Sequence, residues 1–171
     1  MRSAIVDRPI ELGKIVGENP RPSNGATLLF VGTVRDVNNG RAITGMNYTA
    51  YTAMAERELA DITREAAEQF ETEDIVVEHR IGELKIGEVS VAIAVAHAHR
   101  GPAYEASRYV IEQLKQRVPI WKLEHYVDGN REWVGANAGT GEWGKQLAEV
   151  TAESRSPEPG LAEPAADGGG E

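Results

Sequence analysis

The sequence predicts an α+β domain, with helices packed against a mainly antiparallel or mixed sheet. Three observations carry this. Apolar runs and two-residue alternations of strand length recur along most of the chain. Strong helical stripes occur only at 52–70 and 101–118. The resulting order, strand–strand–helix–strand–strand–helix–strand–strand, lacks the strict alternation of a parallel α/β fold.

The elements follow in order. Ala4 to Val6 has the character of an edge strand, and Pro9 to Val16 that of a short helix with proline near its first position. The Asn19–Gly25 stretch is loop by composition. Ala26 to Val34 is an apolar run suited to burial on both faces, with Gly32 marking a bulge or a close backbone approach. Asn39-Gly40 signals a hairpin turn, and Ile43 to Tyr51 is its second arm. Thr52 is placed to cap a helix whose stripe is Ala55, Leu59, Ile62, Ala66 and Phe70.

Ile75 to Ile81 reads as a strand ending at Gly82, and Glu83 to Glu88 as a connecting turn. In Val89 to Ala96, valine and isoleucine alternate with serine and alanine. The large residues face a core, and the small ones allow close packing behind. Gly101-Pro102 opens the second helix, whose stripe is Ala103, Ala106, Val110, Ile111, Leu114 and Val118, and Pro119 stops it. Ile120 to Val127 puts Ile120, Lys122, Glu124 and Tyr126 on one face. Asp128 to Asn130 turns the chain and Glu132 to Val134 returns. Glu142 to Val150 suits one more helix. From Thr151 the composition becomes Pro, Gly, Ala, Ser and acids, so residues 1–150 are expected to form the domain and 151–171 a disordered acidic tail.

Composition narrows the function. The chain has 171 residues, is 41% hydrophobic and 26% charged, and contains no cysteine, which removes disulfides, thiolate metal sites and cysteine nucleophiles. The net charge is −9, of which −4 falls in residues 152–171. An acidic body argues against nucleic acid as partner, whereas a basic cluster within it suits a small anionic ligand. No apolar run reaches the roughly 20 residues of a membrane span, and no signal-peptide core opens the chain, so the expectation is a cytoplasmic protein.

The candidate cluster lies in Ala96 to Val134. His97, His99 and Arg100 end one strand, Lys115 ends the following helix, and Lys122 and Glu124 share a face of the next strand. Two lysines brought together there could bind an anion, move protons or attack a carbonyl. Arg100 before a helix N-terminus suits a phosphate. Arg35, after a buried strand, is a further candidate. Each has a plainer reading as an exposed charge or surface ion pair. His97 and His99 invite a metal, but no third ligand is well placed in the sequence.

Four motifs in sequence carry a resemblance: GATLLFVGTVR with NNG after it, HRIGELKIGE, AHR followed by PAYEA, and LKQRVPIWKLE followed by DG and WV. In this order and spacing, over about residues 5–135, the chain resembles the large, catalytic subunit of molybdopterin synthase. The resemblance implies an α/β hammerhead-like domain with an additional antiparallel β subdomain. It implies a sulfurtransferase that converts cyclic pyranopterin monophosphate into the molybdopterin dithiolene, without a bound cofactor. Sulfur would arrive as the C-terminal Gly-Gly thiocarboxylate of a ubiquitin-like small subunit, on a separate chain. Two large subunits would form a homodimer inside a heterotetramer. By matching motif, Thr33, Val34, Arg35, His99, Arg100, Lys115, Lys122, Leu123 and Glu124 look like substrate contacts, with Lys115 and Lys122 the catalytic pair. Family members often carry a basic residue after the WV strand, where this chain has Gly135 to Gly139 and then Lys145. Two other readings compete: a module that docks a ubiquitin-like tail without chemistry, and a metal-dependent hydrolase using His97 and His99.

Overall fold

The computed structural model describes residues 1–18 and 21–134. The helix expected at Glu142 to Val150, the domain limit at 150, the tail from 151, the Gly135–Gly139 run and Lys145 all lie outside the described residues.

The first sheet is mixed and has four strands in the order β1-β5-β7-β2. β1 (Arg2–Val6) is an edge strand, parallel to β5 (Ile75–Arg80). β7 (Val89–His97) lies between β5 and β2 (Ala26–Thr33), antiparallel to both. The alternation in β7 makes it the centre of the sheet. Val91, Ile93 and Val95 enter one core with Leu59 and Ile62 of α2 (Thr52–Gln69) and Val110 and Leu114 of α3 (Arg100–Arg117). Ala92 and Ala94 on the other face leave room for Ile10 and for Ile15 of α1 (Leu12–Gly17). The small residues of β7 therefore do admit a close neighbour, and it is the short first helix.

The second sheet is antiparallel. β3 (Val37–Asn38), β4 (Arg41–Ala50), β8 (Ile120–Tyr126) and β9 (Arg131–Val134) lie in that order, and β6 (Gly82–Lys85) also pairs with β4. Two sheets, one mixed and one antiparallel, agree with the α+β expectation and with the added antiparallel subdomain.

Four local expectations shift. The first helix begins at Leu12 rather than Pro9, with Glu11 as its cap. Tyr51, not Thr52, precedes the second helix, and no side chain caps it. Glu83 to Lys85 belong to a strand rather than a turn, because Gly82 (φ 94°) redirects the chain from the first sheet into the second. The Asn39-Gly40 hairpin is present, both residues having positive φ as a type I′ turn requires. Its first arm is the two-residue β3, however, and Ala26–Thr33 belongs to the other sheet.

Gly32 is where that departure begins. It pairs with Val91, and the register of β2 slips between Gly32 and Thr33. A Cβ on Gly32 would stand 2.6 Å from Val91 Cγ1, on a branched side chain with little freedom to yield. Gly32→Ala is therefore expected to cost about 1–3 kcal/mol in denaturant unfolding through overpacking. Adding Val91→Ala should recover part of the loss that Gly32→Ala causes. An alanine variant as stable as wild type would show that the contact is not limiting.

Candidate functional site

Where the two sheets meet, they enclose a cavity of about 690 Å³, a size suited to a small organic ligand. One wall is the inner face of the antiparallel sheet: Met46, Tyr48, Lys122 and Glu124. Cross-strand pairing sets Tyr48 beside Lys122 and Met46 beside Glu124. A second wall comes from the mixed sheet and its exits: Gly32, Thr33, Arg35, His79, Ser90 and Val91. The end of α3 closes the third side with Ile111, Leu114 and Lys115.

Glu124 is the most constrained group in the cavity. It is 0% exposed, yet three donors satisfy it. Asn38 Nδ2 donates to both carboxylate oxygens at 3.0 Å, Lys122 Nζ donates at 2.9 Å and the Tyr126 hydroxyl at 2.8 Å. Burial pushes the Glu124 carboxyl up, but these three hydrogen bonds outweigh it and hold it below the usual carboxylate range. It is therefore an anion at neutral pH, and Lys122, with 26% of its side chain exposed, stands between it and the open cavity. Asn38 also accepts from Arg35 Nη2 at 3.1 Å, so one carboxamide joins the Arg35 side of the site to the Lys122 side. Arg41 lies over the Tyr126 ring, 3.6 Å from its centroid, and supports that hydroxyl from outside.

Lys115 is set by the last turn of α3, which is pinned to α2. Arg117, two residues on, donates to Glu58 and Glu65 at 2.6 Å each, and Tyr109 donates to Glu65 at 2.9 Å. The hydrogen bonds from Arg117 and Tyr109 hold the Glu65 carboxyl down at about 2.

The expected cluster does not assemble as one site within a chain. Thr33, Arg35, Lys115, Lys122 and Glu124 line the cavity. His99 and Arg100 instead line a separate recess with Gly25, Ala26, Ala98 and Pro102. The reason is geometric. Ala26 pairs with His97 at one end of β2, and Thr33 pairs with Val89 at the other. At about 3.3 Å per residue these ends are roughly 23 Å apart. Helix α3 spans the same interval, so Arg100 and Lys115 are separated by about 22 Å of helix at 1.5 Å per residue. Val34 is buried beside Met46 and Leu84, and Leu123 is not among the lining residues. His97 and His99 have ring centroids 6.1 Å apart, and His97 Nδ1 is occupied by the His99 backbone N–H at 2.9 Å. Among the described residues, no group of three or more His, Asp or Glu is placed to hold a metal.

Asn38, Tyr48, His79, Ser90 and Tyr126 were not singled out as site residues from the sequence. Tyr126 had a usable signal, since it shares the two-residue period of Lys122 and Glu124. Asn38 had only its place before the turn.

His79 is 5% exposed, and burial pushes its imidazole down to about 4, against a weaker opposing hydrogen bond to the Arg80 carbonyl. Unfolded, a histidine titrates near 6.5. As pH falls below that value, the unfolded chain binds the proton first. Stability is therefore full above about 6.5 and declines by up to roughly 3 kcal/mol as pH falls toward 4. Denaturant titrations across this range should show the decline in wild type and a flatter profile in His79→Phe. A flat wild-type profile would contradict a buried neutral imidazole.

Comparisons with known proteins place this geometry. The model of the family described as MoaE protein matches residues 5–117. The molybdopterin synthase catalytic subunit of Halalkalibacterium halodurans is 44% identical over 134 residues, which is 78% of this chain and 85% of that protein. The crystal structure of molybdopterin synthase from Staphylococcus aureus is similar with a TM-score of 0.73 and 38% identity, covering 77% of this chain and 96% of that one. A complex of subunits 1 and 2 of the molybdopterin-converting factor from Helicobacter pylori shares the fold, with a TM-score of 0.58 and 22% identity over 79% of this chain and 90% of that one. Among the described residues no helix is long and apolar enough to cross a membrane.

Proposed function

The chain belongs to the MoaE protein family and is an enzyme of molybdenum cofactor biosynthesis, and we propose that the cavity of Lys115 and Lys122 is where sulfur reaches a cyclic pyranopterin monophosphate. The observation that carries this is the Lys122–Glu124 pair: a wholly buried carboxylate directs one ammonium group into a small-molecule cavity that Arg35 and Lys115 also line. A surface that merely docked a protein tail would not need a buried, fully satisfied anion behind its lysine. The absence of cysteine suits sulfur borne by a partner.

The partner is the ubiquitin-like small subunit, whose thiocarboxylate tail enters this cavity. Lys122 engages the tail's terminal carbonyl. It stabilises the negative charge that develops on its oxygen when, with the sulfur bonded to the substrate, water adds to the carbonyl carbon and the C–S bond breaks, leaving the tail as a carboxylate. Glu124, Asn38 and Tyr126 hold Lys122 in that position. Lys115 binds substrate and moves protons, and Arg35 neutralises its phosphate. With thiocarboxylated small subunit and pyranopterin supplied, wild type forms the dithiolene. Lys122→Ala should retain substrate binding but lose single-turnover sulfur transfer by a factor of 100 or more, while Lys115→Ala weakens binding as well. Equal loss of binding in both variants, with no separate chemical defect, overturns this division. No dithiolene from wild type with both components intact overturns the function.

His99 and Arg100 act on the cavity of a second copy. Their separation of about 22 Å from Lys115 along α3 keeps them from their own. In that case Arg100→Ala and Lys122→Ala chains, each inactive alone, regain activity when mixed, because a mixed dimer holds one intact site. Failure of complementation in verified mixed dimers rejects the shared site.

A further inference from the structure

The cavity is rich in donors. Arg35, Lys115 and Lys122 have no acceptor at all. Both Glu124 oxygens are taken by Asn38, Lys122 and Tyr126. The Asn38 carboxamide oxygen accepts from Arg35, and the Ser90 hydroxyl donates to the Gly32 carbonyl at 3.2 Å. The Thr33 and Tyr48 hydroxyls can act either way.

His79 stands apart from these. It sits on β5, where the mixed sheet meets the cavity, with its ring edge-on to Tyr48 at 5.3 Å between centroids. Its Nδ1 is 3.0 Å from the Arg80 carbonyl oxygen. A carbonyl oxygen only accepts, so Nδ1 carries the proton. In a neutral ring the lone pair is then on Nε2, which is an acceptor only. Nε2 has no hydrogen bond among the described residues, and it is not among the buried atoms sealed without a partner. His79 is only 5% exposed and lines the cavity, so the cavity is the place for a partner to that atom.

We infer that His79 Nε2 binds substrate, accepting a hydrogen bond from an N–H of its heterocycle. This rests on the reading that a pterin enters the cavity. The chemistry is complementary: a pterin offers ring N–H and amino donors, and the cationic side chains cannot receive them. Those cations suit a phosphate ester, whereas an acceptor among them selects for a donor-bearing ring. Burial keeps the imidazole uncharged, so it adds no further cation to the cavity.

A purely structural His79, held by its own backbone and by Tyr48, would not respond at Nε2 when ligand binds. Ring-nitrogen NMR of the full chain with ¹⁵N-labelled histidine distinguishes the two, using cyclic pyranopterin monophosphate without the small subunit so that no turnover occurs. The expected result is a lone-pair-type Nε2 signal in the free protein that moves upfield with the pterin and stays in place with inorganic phosphate. An Nε2 signal that stays fixed while other resonances report binding overturns the inference. If no resonance moves at all, the pterin reading itself fails and takes this inference with it. As a second measurement, His79→Phe should bind the pterin about tenfold more weakly, the worth of one hydrogen bond, with phosphate affinity unchanged. Equal pterin affinity in a folded His79→Phe overturns the assignment. Should that variant not fold, the wild-type NMR titration decides.

Discussion

A carboxylate with no access to water is tolerable only if its partners fully replace the water it lost. Glu124 is such a group, and the site depends on how it is satisfied. Its donors come from β3, β8 and the end of β8, so the anion is stable only when hairpin and strand are both in register. Asn38 reaches it only because Asn39 and Gly40 adopt the left-handed conformations of a tight turn. Tyr126 is held from behind by Arg41, the first residue after that turn. Folding of the antiparallel sheet and alignment of Lys122 are therefore one event. A register slip of one residue would send Lys122 and Glu124 to the opposite face.

The mixed sheet contributes differently. Its role is rigidity and a blunt end. Central β7 is covered on both faces, by α2 and α3 on one and α1 on the other. At its edge, Gly32 allows β2 to slip register and release Thr33 and Arg35 toward the second sheet. Gly82 performs the corresponding exit from β5 into β6. The cavity forms where these exits leave the first sheet and meet the inner face of the second. Its polar groups arrive from strand ends, as with Thr33, Asn38 and Ser90, and from the inner face of the second sheet, as with Tyr48, Lys122 and Glu124.

Much of this was legible in the sequence, for identifiable reasons. Periodicity found the strands and the two long helices because burial imposes it: the alternation of β7 and the α2 stripe are direct records of packing. The two-residue period also placed Lys122, Glu124 and Tyr126 on one face. Periodicity is blind to which sheet a strand joins. The Asn-Gly turn was visible, yet nothing local says that its first arm is two residues long while the preceding apolar run pairs elsewhere. β6 was hidden for a similar reason, since four residues between glycines carry too little pattern to separate strand from turn. Asn38 and His79 were invisible as site residues because their roles come from contacts 86 residues away, in one case, and from burial at a sheet junction in the other.

The larger lesson concerns nearness along the chain. Arg100 and Lys115 looked like one cluster because a single helix joins them. A helix is a rigid spacer, however, and 15 residues of it hold two groups apart as firmly as they connect them. With β2 and β7 alongside, α3 fixes the distance between the His99–Arg100 recess and the Lys115–Lys122 cavity against any plausible side-chain reach. The α3 N-terminus has backbone donors and no capping side chain, and its C-terminal turn carries Lys115 and Arg117, where the helix dipole favours cations. One helix thus sets its N-terminal backbone donors at one place and the Lys115 ammonium at another, while Arg117 is taken up by Glu58 and Glu65. On the reading that the two places serve one composite site, a twofold pairing that sets the end of one helix against the start of another's would bring them together without any change in fold.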